Sequence, residues 1–318
     1  EYLFKSEGTK GLTIVCGNFK PLTTIKAKSP ITIFGGEGLK MRNYLKKQEL
    51  KEMVNFLLSK YKKREIESLN ILLRRWKEPG GISYKGFVVF NILKHRRTDV
   101  TTTRLTESMY KYSPVYLTKD INRDNLIHEL AHQWWGGIIS WKSYRDIWIT
   151  EGGAQFSTLL YLENKLGKRL FNRIKRRIIK NIKRDSESGP LIYGTRIDNI
   201  TKDYFAFQSI IYNKGAMVFM MLRDMLGEKG LLRRVNRIFT KFDKKSLTTK
   251  QFIRAFCKEK KGKAYLEKFF TNWIYFREIP QVSYSVHIAD KLATIKVDQK
   301  NTDFVFPLKI LVKMKGED

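Results

Sequence analysis

Two histidines and two glutamates are the residues of this chain best suited to chemistry. His128, Glu129 and His132 form an H-E-x-x-H string, and Glu151 follows nineteen residues after the second histidine. Positions four apart share one face of a helix, so both imidazoles can address a single metal ion. Glu129 sits beside His128 and can reach over the same site as a general base. A catalytic zinc takes three protein ligands and leaves a fourth position open, so a third donor is needed. Glu151 is the choice for it, near the start of a helix that reads from Ile147 onward. The bland alternative is a chance H-E-x-x-H with Glu151 as a helix cap. Against it, only four histidines occur in the chain, and two of them are here. The flanking Leu126, Ile127, Leu130, Ala131, Trp134 and Trp135 also supply the rigid apolar platform that a site requires.

The rest of the chain must position these groups. Its 318 residues, 42% of them hydrophobic, allow a large core and suggest two domains or one with appendages. Residues 1–35 read as strands, with a β-rich run at Leu12 to Cys16, a turn at Gly17-Asn18 and a strand at Ile31 to Phe34. A helical period runs from Met41 to Glu67, followed by strand-like segments at Leu69 to Arg74 and Phe87 to Phe90. Asp120 or Asn122 can cap the histidine-bearing helix. Gly167 punctuates the Glu151 helix. Phe205 to Met225 reads as a helix closed by Gly227 and Gly230, and Leu231 to Phe242 as another. Thr248 with Gln251 predicts a capping box, and Tyr265 to Tyr275 a last helix. After Pro280 the period switches to two, predicting three strands around 282–286, 293–297 and 304–312.

Two cysteines, Cys16 and Cys257, imply no disulfide framework. The longest apolar run, Ala216 to Leu222, is too short to span a bilayer. No leader is visible at Glu1, but a chain opening without Met reads as processed or truncated, so this excludes little; a cytoplasmic location is favoured. The net charge is +31, with basic residues spread along the chain and densest from Lys165 to Arg184. That run is an amphipathic helix whose basic face suits solvent or, as the lesser reading, lipid headgroups. No zinc-finger spacing or single-strand-binding aromatic pattern accompanies the charge, so no specific nucleic-acid partner is expected. Peptides are the expected partners, and nothing specifies an oligomeric state.

Water attack on a peptide carbonyl creates an oxyanion, and a further hydrogen-bond donor aimed at it would stabilise the transition state. Fifteen tyrosines are available, and Tyr212 is one candidate among them.

The chain resembles the membrane alanyl aminopeptidase family, the gluzincin zinc peptidases that include leukotriene hydrolase-like enzymes. The resemblance rests on the spacing of His128, Glu129, His132 and Glu151. It extends to WITEGGA at Trp148 to Ala154, similar to W-L-N-E-G-F-A, and to YNKGA at Tyr212 to Ala216, similar to Y-E-K-G-A. It implies an α+β chain with a thermolysin-like zinc metallopeptidase catalytic domain, mostly helical with a small mixed sheet, flanked by partial β domains. The implied division is 1–35 as the end of an N-terminal β domain, 36–279 as the catalytic domain and 280–318 as the start of a β-sandwich. It implies one Zn2+ held by His128, His132 and Glu151, with Glu129 as base and Tyr212 as oxyanion donor.

One departure matters. The family's G-x-M-E-N string, whose glutamate binds the substrate's α-amine, is missing. Its place is taken by Gly80, Gly81, Ile82, Ser83 and Tyr84, expected to form an edge strand that binds the substrate backbone. Glu78 or Glu107 could stand in for the glutamate. An aminopeptidase acting on short peptides is therefore the expected function, with two alternatives. One is an oligopeptidase or endopeptidase without need of a free N-terminus. The other is a catalytically weak peptide-binding module.

Overall fold

The computed structural model describes residues 15–27, 29–41, 45–61, 67–75, 80–92, 117–118, 120–193, 204–289, 292–300 and 303–310. The β-rich runs build one five-stranded sheet from β1 (Phe19–Ile25), β2 (Ile31–Gly36), β3 (Leu69–Arg75), β4 (Gly80–Tyr84) and β5 (Phe87–Ile92), in the order β1-β2-β3-β5-β4. It is mixed: β2-β3 and β3-β5 are parallel, while β1-β2 and β5-β4 are antiparallel. Ile31, Ile33, Ile71, Leu73, Val88 and Phe90 are all buried, because alternate side chains share the face turned to the helices. β4 lies at the sheet's edge, with β5 on one side and no strand on the other among the described residues. Of the strand expected at Leu12 to Cys16, residues 12–14 lie outside the described residues, and Val15 and Cys16 are irregular. The first strand among the described residues starts after the Gly17-Asn18 bend, where residues 19–25 find a partner in β2.

The helices carry the expected periods. α1 (Lys47–Lys60) is shorter than the period read from Met41 to Glu67, because the backbone is extended at Lys46 and Tyr61, and it buries Leu50, Met53, Val54 and Leu57 as a single helical stripe. α2 (Ile121–Ala131) begins at Asp120, whose Oδ1 accepts the Arg123 N–H at 3.1 Å. α3 (Trp148–Asp185) is interrupted at Gly167, whose φ of 75° and ψ of 166° suit glycine alone. α4 (Tyr204–Phe207) runs into a π-helical segment, Gln208–Lys214, and on into α5 (Gly215–Lys241). Only Gly227 breaks α5; Gly230 does not end it as expected, since its backbone stays helical. α6 (Thr249–Phe256) opens on the predicted capping box, with Thr248 N–H to Gln251 Oε1 at 2.9 Å and Gln251 N–H to Thr248 Oγ1 at 3.2 Å. α7 (Lys263–Phe270) continues as a π-turn over Thr271–Tyr275.

Two further strands were not expected: β6 (Ile139–Trp141) and β7 (Lys245–Leu247) pair in parallel. The buried Asp146 carboxylate, which accepts the Thr249 N–H and hydroxyl, ties α6 to the start of α3. β8 (Gln281–Ala289) and β9 (Leu292–Lys300) form the predicted antiparallel ladder. The third predicted strand does not form over residues 303–310. The N–H groups of Phe304 and Val305 are taken by the side chains of Gln299 and Asn272, not by a neighbouring strand. The architecture is α+β, mostly helical with a small mixed sheet. Under α2 and α3 lies an aromatic core in which the Trp135 ring meets Phe239 and Phe219 at 4.9 and 5.2 Å.

Candidate metal centre and active site

α2 presents His128 and His132 one turn apart, and the first turn of α3 brings Glu151 to them. His128 Nε2 lies 3.1 Å from His132 Nε2, and Glu151 Oε2 lies 3.3 and 3.4 Å from the two nitrogens. Three donors around zinc at about 2.05 Å, tetrahedrally arranged, would be separated by roughly 3.3–3.4 Å. The triangle therefore has the size of one face of a zinc tetrahedron. Each imidazole is held by its other nitrogen. His128 Nδ1 lies 3.1 Å from Gln155 Oε1, and His132 Nδ1 lies 2.7 Å from the Trp135 carbonyl oxygen. Both partners are acceptors, so each Nδ1 serves as a donor and each Nε2 is the nitrogen turned toward the shared site.

Gln155 and Trp135 were missed by sequence reading. Gln155 did leave a signal, as a long polar residue one helical turn after Glu151 and so on the same helix face. The Trp135 carbonyl left none. Replacing Gln155 by Leu is expected to weaken zinc binding about 10- to 100-fold. Competition with a chromogenic chelator measures this directly.

Close helix packing holds the site together. A Cβ at Gly152 would stand 2.9 Å from the backbone of Gly215, and one at Gly153 would stand 2.3 Å from the Trp135 ring. Gly152 of WITEGGA and the glycine of YNKGA thus let α3 meet α5 backbone to backbone, while Gly153 makes room for the Trp135 ring. Trp135 is fixed in turn by its indole N–H, which lies 3.2 Å from both Tyr61 Oη and Ser157 Oγ. Gly153→Ala is expected to destabilise the fold by about 1–3 kcal/mol or more. The denaturant midpoint should fall accordingly.

Glu129 is buried and points over β4. A Cβ at Gly81 would lie 2.5 Å from Glu129 Cγ, so only glycine leaves room for this carboxylate. Burial raises the Glu129 pKa, the two imidazoles pull it back, and Glu151 adds to the rise. The Ser83 hydroxyl donates to the Glu129 carbonyl oxygen at 2.6 Å. Gln133 clamps the turn after β4, donating to the Tyr84 carbonyl at 2.9 Å and accepting the Gly86 N–H at 2.8 Å. The edge strand and the histidine helix are thereby locked in register. Gly80 and Ile82 lie along the same strand, Ile82 half exposed. Tyr212, on the π-helical segment, stacks on the His128 ring with centroids 5.5 Å apart. Burial and the Glu151 charge raise its pKa well above the ordinary phenol value, so it stays a hydrogen-bond donor.

The structure brings together His128, Glu129, His132, Glu151 and Tyr212, and sets Gly81 and Ser83 against them. Glu78 and Glu107 lie outside the described residues. Among the described residues, His128, His132 and Glu151 are the group of His, Cys, Asp and Glu side chains close enough to share one ion.

A mixed sheet with β4 at its edge among the described residues, laid beside a helix that carries two histidines one turn apart, is the frame of a metallopeptidase. Residues 99–273 match the Peptidase family M1 domain, and the chain belongs to that family. Endoplasmic reticulum aminopeptidase 2 of Bos taurus is 30% identical over 118 residues, covering 37% of this chain and 12% of that protein. Aminopeptidase N of Haemonchus contortus is 32% identical over 118 residues, covering 36% and 12%. In fold, the M1 zinc metallopeptidase of Deinococcus radiodurans aligns with a TM-score of 0.58 at 17% identity, over 83% of this chain and 53% of that one. Leukotriene A4 hydrolase of Saccharomyces cerevisiae aligns with a TM-score of 0.58 at 18% identity, over 82% and 40%. The chain thus spans about an eighth of these curated relatives and roughly half of the aligned structures.

Proposed function

We propose that this chain carries the active site of a zinc metallopeptidase that hydrolyses short peptides from their amino end. The observation that supports it most is the zinc-sized triangle of His128, His132 and Glu151, with Glu129 and Tyr212 at its rim and a free strand edge alongside. Zinc, when bound, supplies a Lewis acid for the scissile carbonyl and acidifies water at neutral pH. Glu129 takes the proton of the attacking water and returns it to the leaving amine, a role its raised pKa suits. Tyr212 donates from its phenol to the oxygen that becomes negative in the transition state. The unpaired edge of β4, from Gly80 to Tyr84, hydrogen-bonds the substrate backbone as an added strand. The aminopeptidase names of the relatives accord with this reading.

The specific observation favouring a second reading is the lack of any acidic residue within Gly80 to Tyr84. With no carboxylate there to bind an α-amine, cleavage need not start at a free N-terminus, and the chain would act as an oligopeptidase. One experiment separates the two: hydrolysis of one peptide in free and N-acetylated forms, with and without a zinc chelator. The proposal expects chelator-sensitive cleavage of the free form and at least a tenfold preference over the blocked one. Equal rates would transfer the assignment to the oligopeptidase. No cleavage of either form by zinc-loaded protein would overturn both.

A further inference from the structure

We infer that the outer face of the second half of α3 is a docking surface for an anionic lipid bilayer. Beyond the break at Gly167, residues 168–184 contain nine basic residues and no acidic one. Phe171, Ile174, Ile178 and Ile182 are buried against the core. On the opposite side Arg169, Arg173, Arg176, Lys180 and Lys183 are all exposed. Their steps of four, three, four and three residues keep all five within about 80° of arc and along about 21 Å of helix. That is one straight cationic ridge. Its neighbours Lys165 and Arg184 are paired with Glu52 and Asp185, whereas none of the five ridge residues has an ion-pair partner among the described residues.

The choice of a lipid surface follows from what flanks the ridge. Leu170 and Ile179, 46% and 45% exposed, stand at its two margins, where headgroups give way to acyl chains when a helix lies on a bilayer. A nucleic acid would gain little from these aliphatic groups. A single strand would call for exposed aromatic rings to stack its bases, and the one aromatic residue of the segment, Phe171, is buried. No described helix is long and apolar enough to cross a membrane, so the contact would be peripheral. The ridge begins eighteen residues beyond Glu151, and the inference stands independently of the peptidase reading.

The test is co-sedimentation of the purified chain with phosphatidylcholine vesicles, with and without about a third phosphatidylserine. Each basic residue near a charged bilayer contributes about fivefold in affinity. The triple variant R173Q/R176Q/K180Q is therefore expected to bind the anionic vesicles about 100-fold more weakly, with an unchanged melting temperature. A control with the same change in charge, K229Q/K258Q/K260Q, is expected to stay within about threefold of the parent. The double variant L170Q/I179Q is expected to bind more weakly and to lose binding at lower salt. Equal losses in the two triple variants would reduce the effect to net charge and overturn the inference. So would equal binding to vesicles without phosphatidylserine, or tighter binding to a single-stranded oligonucleotide than to anionic vesicles.

Discussion

Glu129→Gln is expected to lower kcat by about 10³- to 10⁴-fold while zinc still binds at one ion per chain. The amide fills the same space against Gly81 and keeps the shape of the pocket, but it cannot accept the water's proton. Because the ligands are untouched, metal content by atomic absorption separates lost chemistry from lost metal. Gly81→Ala makes a useful companion, since its methyl would stand 2.5 Å from Glu129 Cγ and must push the carboxylate aside. A smaller fall in kcat, with zinc retained, is expected there. If Glu129→Gln turned peptides over at the parent's rate, the base would have to be another group.

The second large effect concerns Glu151. Its replacement by Ala should abolish zinc binding at micromolar metal and bring hydrolysis to background. The metal-free protein explains why this carboxylate matters so much. Burial alone would depress His132, but the Glu151 charge overrides it and lifts His132 to about 9. Glu151 is held far below the usual carboxylate range: burial opposes this, and the two imidazoles outweigh it. A proton shared by these groups thus stands where the cation would sit. Zinc must displace it, so apparent zinc affinity should rise about tenfold per pH unit as pH approaches about 9 and then level off. The stability of the metal-free fold should change in the opposite sense. A raised histidine pKa contributes fully below about 6.5, the unfolded value, and that contribution is lost as pH climbs through about 9. Chelator competition and urea melts of the stripped protein across this range test both slopes. A flat zinc affinity would show that His132 is not the group being displaced.

Much of this site could be read from spacing because its parts are local. The histidines lie one helical turn apart, Glu151 opens the next long helix, and Thr248 and Gln251 carry a cap within four residues. Gly167 announced a break because few other residues tolerate its dihedral angles. What spacing could not give depends on contacts between distant segments. Tyr212 was one of fifteen tyrosines until a family likeness singled it out, because its value lies in stacking on His128, eighty-four residues away. The pairing of β6 with β7 joins segments about a hundred residues apart by three residues each, too short for a periodic signal. Residues 303–310 had the alternation of a strand, but alternation does not reveal that Gln299 and Asn272 would take the backbone donors first.

The contact between Gly152 and Gly215 has a consequence for how the site tolerates change. With no side chain between them, the carboxylate proposed to anchor the ion and the phenol proposed to answer the oxyanion ride on two main chains touching like gear teeth with no backlash. Altering rotamers nearby cannot retune the gap between those two groups. A single added methyl would widen it, moving Tyr212 off its target while leaving Glu151 beside the histidines. A variant such as Gly215→Ala would then give a protein that still holds zinc yet has lost its grip on the transition state.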